Sequence, residues 1–252
     1  MPPFLVFRVD AMPSPPTLGP GDERSAPGAE RVCIKVCGLR SLDMIDVALE
    51  AGADRIGLVL VSSSPRAVDF TTAGRLAEHV AAAGREAWAV AAWSVSDGPR
   101  VEGLDAFIAA TPQIAAVQLH GRETPEDIAD FATRCPETRI VKAVGVASRS
   151  DLNGLARYAG VDAFLLDARP PAGADREGGF GRPFDWSILN GFHSEQPLVL
   201  SGGLTPLNVA EAIAETGLTQ VDVSSGVEQS PGVKDARRIR DFISAARAAV
   251  RR

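Results

Sequence analysis

Strand-like and helix-like stretches alternate eight times between Val32 and Ala249. The predicted strands are residues 32–37, 55–61, 86–94, 114–119, 139–144, 162–167, 197–201 and 220–224. The predicted helices are residues 41–52, 71–84, 100–110, 124–134, 149–159, 184–190, 206–215 and 233–249. Such a pattern folds either into a closed (β/α)8 barrel or into an open doubly wound sheet. Eight evenly spaced repeats in a chain of 252 residues favour the α/β barrel.

The first 30 residues differ from the rest of the chain. They are rich in proline, glycine and serine, as in Pro13-Ser14-Pro15-Pro16, and they lack hydrophobic periodicity. Such a composition is typical of disordered segments. We therefore expect a flexible N-terminal extension at residues 1–30, followed by a single barrel domain at residues 31–252.

The first predicted strand carries a lysine in an otherwise apolar run. Side chains alternate between the two faces of a strand, so Cys33, Lys35 and Cys37 share one face, opposite Ile34 and Val36. We expect the even-numbered face to pack under helices and the odd-numbered face to look into the barrel. The junctions that follow the predicted strands are polar and glycine-rich, which predicts a site at the C-terminal mouth of the barrel.

Composition narrows the choice of partners. A net charge of −6 argues against a nucleic-acid or acidic-membrane partner. The chain has no apolar run of about 18 residues, so no membrane span is expected. Three cysteines do not form a disulfide framework, and a reducing, cytoplasmic compartment fits them best. The sequence shows no metal-ligand cluster.

Two residues are candidates for acid–base chemistry. Cys37 ends the first strand, about 6.6 Å from Lys35 along it, and a nearby ammonium is expected to lower the pKa of the thiol. A general base, a nucleophile and a small buried apolar residue all remain open for this cysteine. Asp167 ends the sixth strand and is either a turn former or an acid. An acid and a base on two sides of the barrel mouth are what an isomerisation by proton transfer needs.

Other residues are candidates for substrate binding. Gly202-Gly203 and Ser225-Gly226 follow strands seven and eight, where barrels often bind phosphate. Arg66 is either a solvated loop charge or a bidentate clamp for a carboxylate. His120 could serve as a ligand, a base or a packing residue.

Taken together, a set of motifs resembles the phosphoribosylanthranilate isomerase family of tryptophan biosynthesis. The motifs run from Val32 to Ala249 and include Lys35-Val36-Cys37-Gly38-Leu39, Ser64-Pro65-Arg66, Val117-Gln118-Leu119-His120-Gly121, Leu165-Leu166-Asp167, Ser201-Gly202-Gly203-Leu204, Val221-Asp222-Val223-Ser224-Ser225-Gly226-Val227-Glu228 and Pro231-Gly232-Val233-Lys234-Asp235.

The resemblance implies an Amadori rearrangement of N-(5-phosphoribosyl)anthranilate to 1-(2-carboxyphenylamino)-1-deoxyribulose 5-phosphate. It implies that Asp167 is the general acid and Cys37 the general base. It also implies that Arg66 holds the anthranilate carboxylate and that the two glycine loops hold the phosphate. Lys35, His120 and Asp222 join the expected substrate-binding set. The resemblance further implies that no metal or organic cofactor is needed. The protein is expected to be a monomer or a homodimer.

Some positions depart from the family pattern. Trp93 stands near the end of strand three and is expected to narrow the barrel mouth. The expected lid reads Gly178-Gly179-Phe180-Gly181-Arg182-Pro183, which is bulkier and stiffer than usual. The alternative is therefore a barrel that binds a phosphorylated sugar metabolite either without turning it over or with altered specificity. The related isomerase of the histidine pathway is disfavoured, because it uses an aspartate where Cys37 stands.

Overall fold

The computed structural model describes residues 31–93, 101–158, 160–169 and 183–250. Eight parallel strands follow one another around a closed barrel, with the first strand paired to the last. The strands are β1 (Cys33–Cys37), β2 (Arg55–Val59), β3 (Glu86–Ala91), β4 (Ile114–Leu119), β5 (Arg139–Val146), β6 (Ala163–Ala168), β7 (Leu198–Leu200) and β8 (Gln220–Val223). The predicted (β/α)8 barrel is confirmed. The predicted extension at residues 1–30 and the predicted lid at residues 178–182 lie outside the described residues.

Helices cover the outside of the barrel. They are α1 (Leu42–Ala51), α2 (Phe70–Ala82), α3 (Leu104–Ala110), α4 (Pro125–Arg134), α5 (Arg149–Leu152), α6 (Val209–Thr216) and α7 (Ala236–Ala249). Two predicted helices are shorter than expected. The stretch at 149–159 forms α5 and then the 3-10 turn Leu155–Arg157, because Asn153 and Gly154 favour helix termination. The stretch at 184–190 forms only the 3-10 turn Trp186–Leu189.

A small hairpin precedes the last helix. Its strands, β9 (Glu228–Ser230) and β10 (Val233–Lys234), pair antiparallel, so the predicted start of this helix at 233 was wrong. Asp235 sets the true start of α7, because its carboxylate accepts hydrogen bonds from the N–H groups of Arg237 and Arg238. Residues 228–234 are called the mouth hairpin below.

Side chains cap the starts of two outer helices. Thr124 caps α4 in a capping box, with Pro125 at the first helical position. Asp69 caps α2, because its carboxylate accepts the hydrogen bond from Thr72 N at 2.7 Å. The predicted start of a helix at Thr205-Pro206 was also early, since α6 begins at Val209. In the described part of the chain, no helix is both long and apolar enough for a membrane span.

The two faces of β1 pack in different parts of the hydrophobic core, as expected from side-chain alternation along the strand. Ile34 and Val36 belong to the outer core between strands and helices, whereas Cys37 packs inside the barrel. The prediction that Trp93 narrows the barrel mouth was wrong. Trp93 is 1% exposed in the outer core and packs edge-on against Phe131 of α4, with ring centroids 5.3 Å apart, so it does not narrow the mouth.

Candidate active site

Cys37 lies at the C-terminal end of β1, inside the barrel. Its thiol packs with Val59 and Val90, and the residue is 6% exposed. Gly57 stands beside it in the register of β2. A methyl group in place of the Gly57 hydrogen would lie 2.7 Å from the Cys37 sulfur and 3.0 Å from the Lys35 nitrogen. The missing side chain therefore makes room for the thiol and the ammonium together.

Lys35 is fixed by an ion pair at the seam that closes the barrel. It faces Asp222 in the register of β1 and β8, and its Nζ donates to Asp222 Oδ1 at 2.9 Å. Ser201 Oγ donates to the other carboxylate oxygen at 3.1 Å. The lysine is 1% exposed, so its charge needs this partner. The structure thus joins two predicted substrate-binding residues directly to each other.

The environment of Cys37 acts on its pKa in opposite directions. Burial raises the pKa, the charge of Lys35 lowers it, and the charge of Asp222 raises it again. Lys35 therefore acts in the expected direction, but burial outweighs it and the net result is a raised pKa. The physical reason is that loss of hydration in this apolar pocket destabilises the thiolate more than the charge of the nearby ammonium stabilises it. The thiol is therefore the stable form of Cys37 in the free protein.

Asp167 stands at the end of β6 and contacts His120, which follows β4. His120 Nε2 lies 3.3 Å from Asp167 Oδ2, and the other carboxylate oxygen accepts the N–H of Ala168 at 2.8 Å. Gln118 Nε2 lies 3.1 Å from His120 Nδ1. The imidazole therefore has a polar neighbour at each of its two nitrogens. These two contacts favour a polar role for His120 over a packing role.

The first predicted phosphate loop packs closely against β6. Gly202 and Gly203 have φ values of 79° and 67°, which favour glycine. A side chain at Gly202 would collide with the N–H of Ala168 and come within 2.7 Å of Asp167 Oδ1. The loop after β7 therefore reaches the candidate acid, and this approach requires glycine.

The second predicted phosphate loop touches the first. Ser225 begins a 3-10 turn, Ser225–Val227, directly after β8. A side chain at Gly226 would collide with the carbonyl oxygen of Leu204. The loops after β7 and β8 are thus neighbours at one side of the mouth, which is the arrangement that barrel phosphate sites use.

Arg66 does not project as a solvated charge. Its Nε and Nη2 each donate to a carboxylate oxygen of Glu228 at 2.7 Å. Lys234 Nζ donates to the same carboxylate at 2.8 Å and to the carbonyl oxygen of Ser224 at 2.9 Å. Burial acts to raise the pKa of Glu228, but the two cations outweigh it and hold that pKa below its usual value. A methyl group at Gly38 would lie 2.7 Å from Arg66 Cδ, so the arginine side chain runs beside the end of β1.

Sequence reasoning missed Glu123, which organises the mouth near β4. This buried carboxylate accepts hydrogen bonds from Trp93 N at 2.8 Å, from Gly121 N at 3.0 Å and from Lys142 Nζ at 2.8 Å. The signal was Lys142 itself, since a lysine within an apolar strand must find a carboxylate. That signal does not say which of the chain's acids is the partner.

Among the residues that the structure describes, no group of three or more His, Cys, Asp or Glu side chains is arranged to hold a metal ion. Cys33, Cys37 and Cys135 are free cysteines.

Sequence comparison gives close relatives over the whole barrel. The model of the N-(5'-phosphoribosyl)anthranilate (PRA) isomerase family matches residues 34–245. A protein named N-(5'-phosphoribosyl)anthranilate isomerase from Rhodopseudomonas palustris strain BisA53 is 47% identical over 219 residues, which are 86% of this chain and 97% of the relative. A protein of the same name from Rhodospirillum rubrum is 44% identical over 216 residues, covering 85% of this chain and 97% of the relative.

Solved structures agree with this result. Phosphoribosyl anthranilate isomerase from Thermotoga maritima superposes with a TM-score of 0.71 at 34% identity, covering 86% of this chain and 99% of that chain. A further structure, at TM-score 0.68, 33% identity and the same two coverages, is the isomerase in complex with reduced 1-(o-carboxyphenylamino)-1-deoxyribulose 5-phosphate. The enzyme and family predictions are confirmed: the chain belongs to the N-(5'-phosphoribosyl)anthranilate isomerase family.

Proposed function

We propose that the chain performs the family's Amadori rearrangement in tryptophan biosynthesis, with Asp167 as the acid and Cys37 as the base. The observation that carries the proposal is the placement of these two residues. Each ends a barrel strand at the C-terminal mouth, and each has a second polar side chain beside it, His120 for Asp167 and Lys35 for Cys37. The reaction is an isomerisation, so it needs proton transfers and no net gain or loss of atoms.

In the first step, the Asp167 carboxylic acid gives its proton to the furanose ring oxygen of N-(5'-phosphoribosyl)anthranilate. The bond between this oxygen and C1 breaks, and the nitrogen lone pair forms an iminium at C1. His120 orients the carboxyl group, because Nε2 of the histidine contacts Oδ2. This contact supports a positioning role for His120 beside its predicted role in substrate binding.

In the second step, Cys37 removes the proton from C2, and the resulting enolamine tautomerises to the 2-ketone. The thiol of the free protein has a raised pKa, so substrate must favour its ionisation. The cationic iminium does this, because a nearby positive charge favours the thiolate. Lys35 acts in the same direction, whereas Asp222 keeps the lysine charged and in place. The thiol proton then passes to solvent, and the Asp167 carboxylate takes up a proton from solvent in exchange for the one it donated.

The two substrate anions would bind on the two sides of the mouth. Gly202, Gly203, Ser225 and Gly226 would hold the phosphate, since their loops touch at the C-terminal ends of β7 and β8. Arg66 would hold the anthranilate carboxylate. The division into an extension at residues 1–30 and a barrel domain at 31–252, a cytoplasmic location, and a monomeric or homodimeric state belong to the same proposal. Three free cysteines support the reducing location.

The test uses freshly generated N-(5'-phosphoribosyl)anthranilate, whose fluorescence falls as it is consumed. Turnover by the wild type that is lost in both Cys37→Ala and Asp167→Asn would support the reaction and the two roles. A folded wild-type protein that leaves the fluorescence unchanged would refute the proposed function.

A further inference from the structure

The mouth hairpin supplies the direct partners of the predicted carboxylate clamp. Glu228 is its first residue and Lys234 its last, and their side chains are 4% and 2% exposed. The Glu228 carboxylate receives the Nε and Nη2 donors of Arg66 at 2.7 Å each. A bidentate pair of this kind fixes the plane of a guanidinium as well as its position.

The hairpin is also anchored to the loop that carries Arg66. Gly232 has a φ of 79°, and a side chain there would collide with the carbonyl oxygen of Pro65. Arg40 Nη2 donates to the carbonyl oxygen of Gly232 at 3.0 Å. The hairpin and the loop after β2 therefore pack as one unit, with backbone contact at Pro65 and side-chain contact at Arg66.

The number of N–H donors that Glu228 leaves unused limits how Arg66 can bind substrate. A guanidinium has five N–H groups in a fixed fork. Glu228 takes one on Nε and one on Nη2, which is one full edge of the fork. The edge formed by Nη1 and the second N–H of Nη2 is the edge that a second carboxylate can use. The predicted bidentate clamp is thus restricted to one direction of approach.

The negative charge of Glu228, considered alone, would weaken substrate binding at Arg66. A carboxylate beside a carboxylate-binding arginine repels the substrate and weakens binding. Lys234 reduces this repulsion, because its ammonium contacts Glu228 Oε1 at 2.8 Å. With both bases protonated, the trio of Arg66, Lys234 and Glu228 keeps one positive charge in excess, which matches one substrate carboxylate.

We propose that Glu228 is a positioning residue for specificity: it holds Arg66 by one edge so that the other edge selects substrates with a carboxylate on the aromatic ring. This inference rests on the proposed function and deepens it. Orientation and repulsion predict changes of opposite sign when the charge of Glu228 is removed. The two effects can therefore be separated by one measurement.

The experiment is calorimetric binding of two ligands to the full chain. One is reduced 1-(2-carboxyphenylamino)-1-deoxyribulose 5-phosphate, and the other is the same compound with a phenyl group and no carboxylate. The ratio of the two Kd values measures carboxylate selection. In Glu228→Gln this ratio should fall by roughly tenfold, the lower end of what charged hydrogen bonds contribute, with little change for the phenyl ligand.

Two outcomes would overturn the proposal. An unchanged ratio would leave Glu228 with a purely structural role, and a larger ratio would show that repulsion dominates. Glu86→Gln is the matched control, because Glu86 bonds Arg55 and Arg139 at the opposite end of the barrel. The ratio in that variant should stay at the wild-type value.

A second variant, Glu228→Asp, tests the proposal even if Glu228→Gln fails to fold. Glu228→Asp keeps the charge and shortens the side chain by one methylene, so it should lower the ratio severalfold without leaving buried cations unpaired. A wild-type ratio in a folded Glu228→Asp protein would count against positioning. Failure of the proposed function is distinguishable, because wild-type protein would then bind neither ligand or consume no substrate.

Discussion

His120 Nε2 lies 3.3 Å from Asp167 Oδ2, so the end of β4 and the end of β6 meet through one polar contact at the barrel mouth. A general acid needs a fixed direction as well as a proton, because the acceptor atom of the substrate is fixed. In the proposed mechanism the imidazole supplies that direction, and Gln118, whose Nε2 lies 3.1 Å from His120 Nδ1, holds the imidazole in turn.

Asp167→Asn should lower kcat by about 10²–10⁴-fold and change KM much less, because an acid acts in the transition state. His120→Ala should lower kcat by a smaller factor, since it removes only the orientation of the acid. Steady-state kinetics on N-(5'-phosphoribosyl)anthranilate measures both values. Asp162→Asn is the control and should keep wild-type kcat, because Asp162 lies just before β6, at the end of that strand away from the mouth. An Asp167→Asn effect confined to KM would point to a binding role.

Cys37→Ala should reduce turnover by about 10²–10⁴-fold while the fold stays intact, because the base is lost. Cys33 offers a matched control, since it lies on the same face of β1 at the end away from the mouth. Cys33→Ala should retain activity. The measurement is the fluorescence assay, with circular dichroism for the fold. Wild-type kcat in Cys37→Ala would remove the base assignment.

The raised pKa of Cys37 predicts when its thiolate forms. A thiol is neutral when protonated, so burial delays ionisation and moves it above the usual thiol value of about 8.5. The ultraviolet absorbance of the thiolate, taken as wild type minus Cys37→Ala, should therefore rise only at a pH above that value. Because the pKa is higher in the folded than in the unfolded chain, this thiol contributes to the free energy of unfolding below about pH 8.5. That contribution declines as the pH rises from about 8.5 through the folded pKa. A rise of the difference absorbance near neutral pH would contradict this.

Removing one member of the Glu123–Lys142 pair should destabilise the barrel. The side chains are 0% and 4% exposed, so Glu123→Gln leaves a buried charge uncompensated, at a cost of about 3–5 kcal/mol in the free energy of unfolding. Denaturant unfolding measures this cost. Arg237→Ala is the comparison, because its partner Asp241 is exposed and the pair should contribute little. Equal stabilities of the two variants would show that the buried pair is not a stabilising element.

The composition of the N-terminal extension predicts that residues 2–28 can be deleted with little change in melting temperature. Thermal unfolding of the shortened chain beside the full chain measures this. A large decrease would show that the extension contributes to the stability of the barrel.

The barrel and the polar side of its strands were predictable, because period-two and period-3.6 patterns and glycine-rich junctions are local signals. The facing of Cys37 followed from alternation along a single strand. The bonding of Arg66 to Glu228 did not follow from such a pattern, because 162 residues separate them and no local sequence signal gives the distance between two loops. The net rise of the Cys37 pKa was not predicted for a related reason. Val59 and Val90, which bury the thiol, belong to two other strands.

The ion pair between Lys35 and Asp222 joins positions 187 residues apart, and Ser224 Oγ bonds the carbonyl oxygen of Cys37 across the same span. The site around the candidate base is therefore completed only when the last strand closes against the first. A nascent chain that ends before β8 lacks the carboxylate that pairs with the ammonium beside the thiol. In the proposed mechanism, the environment of the base is therefore complete only late in synthesis, after β8 has been made and has closed the barrel.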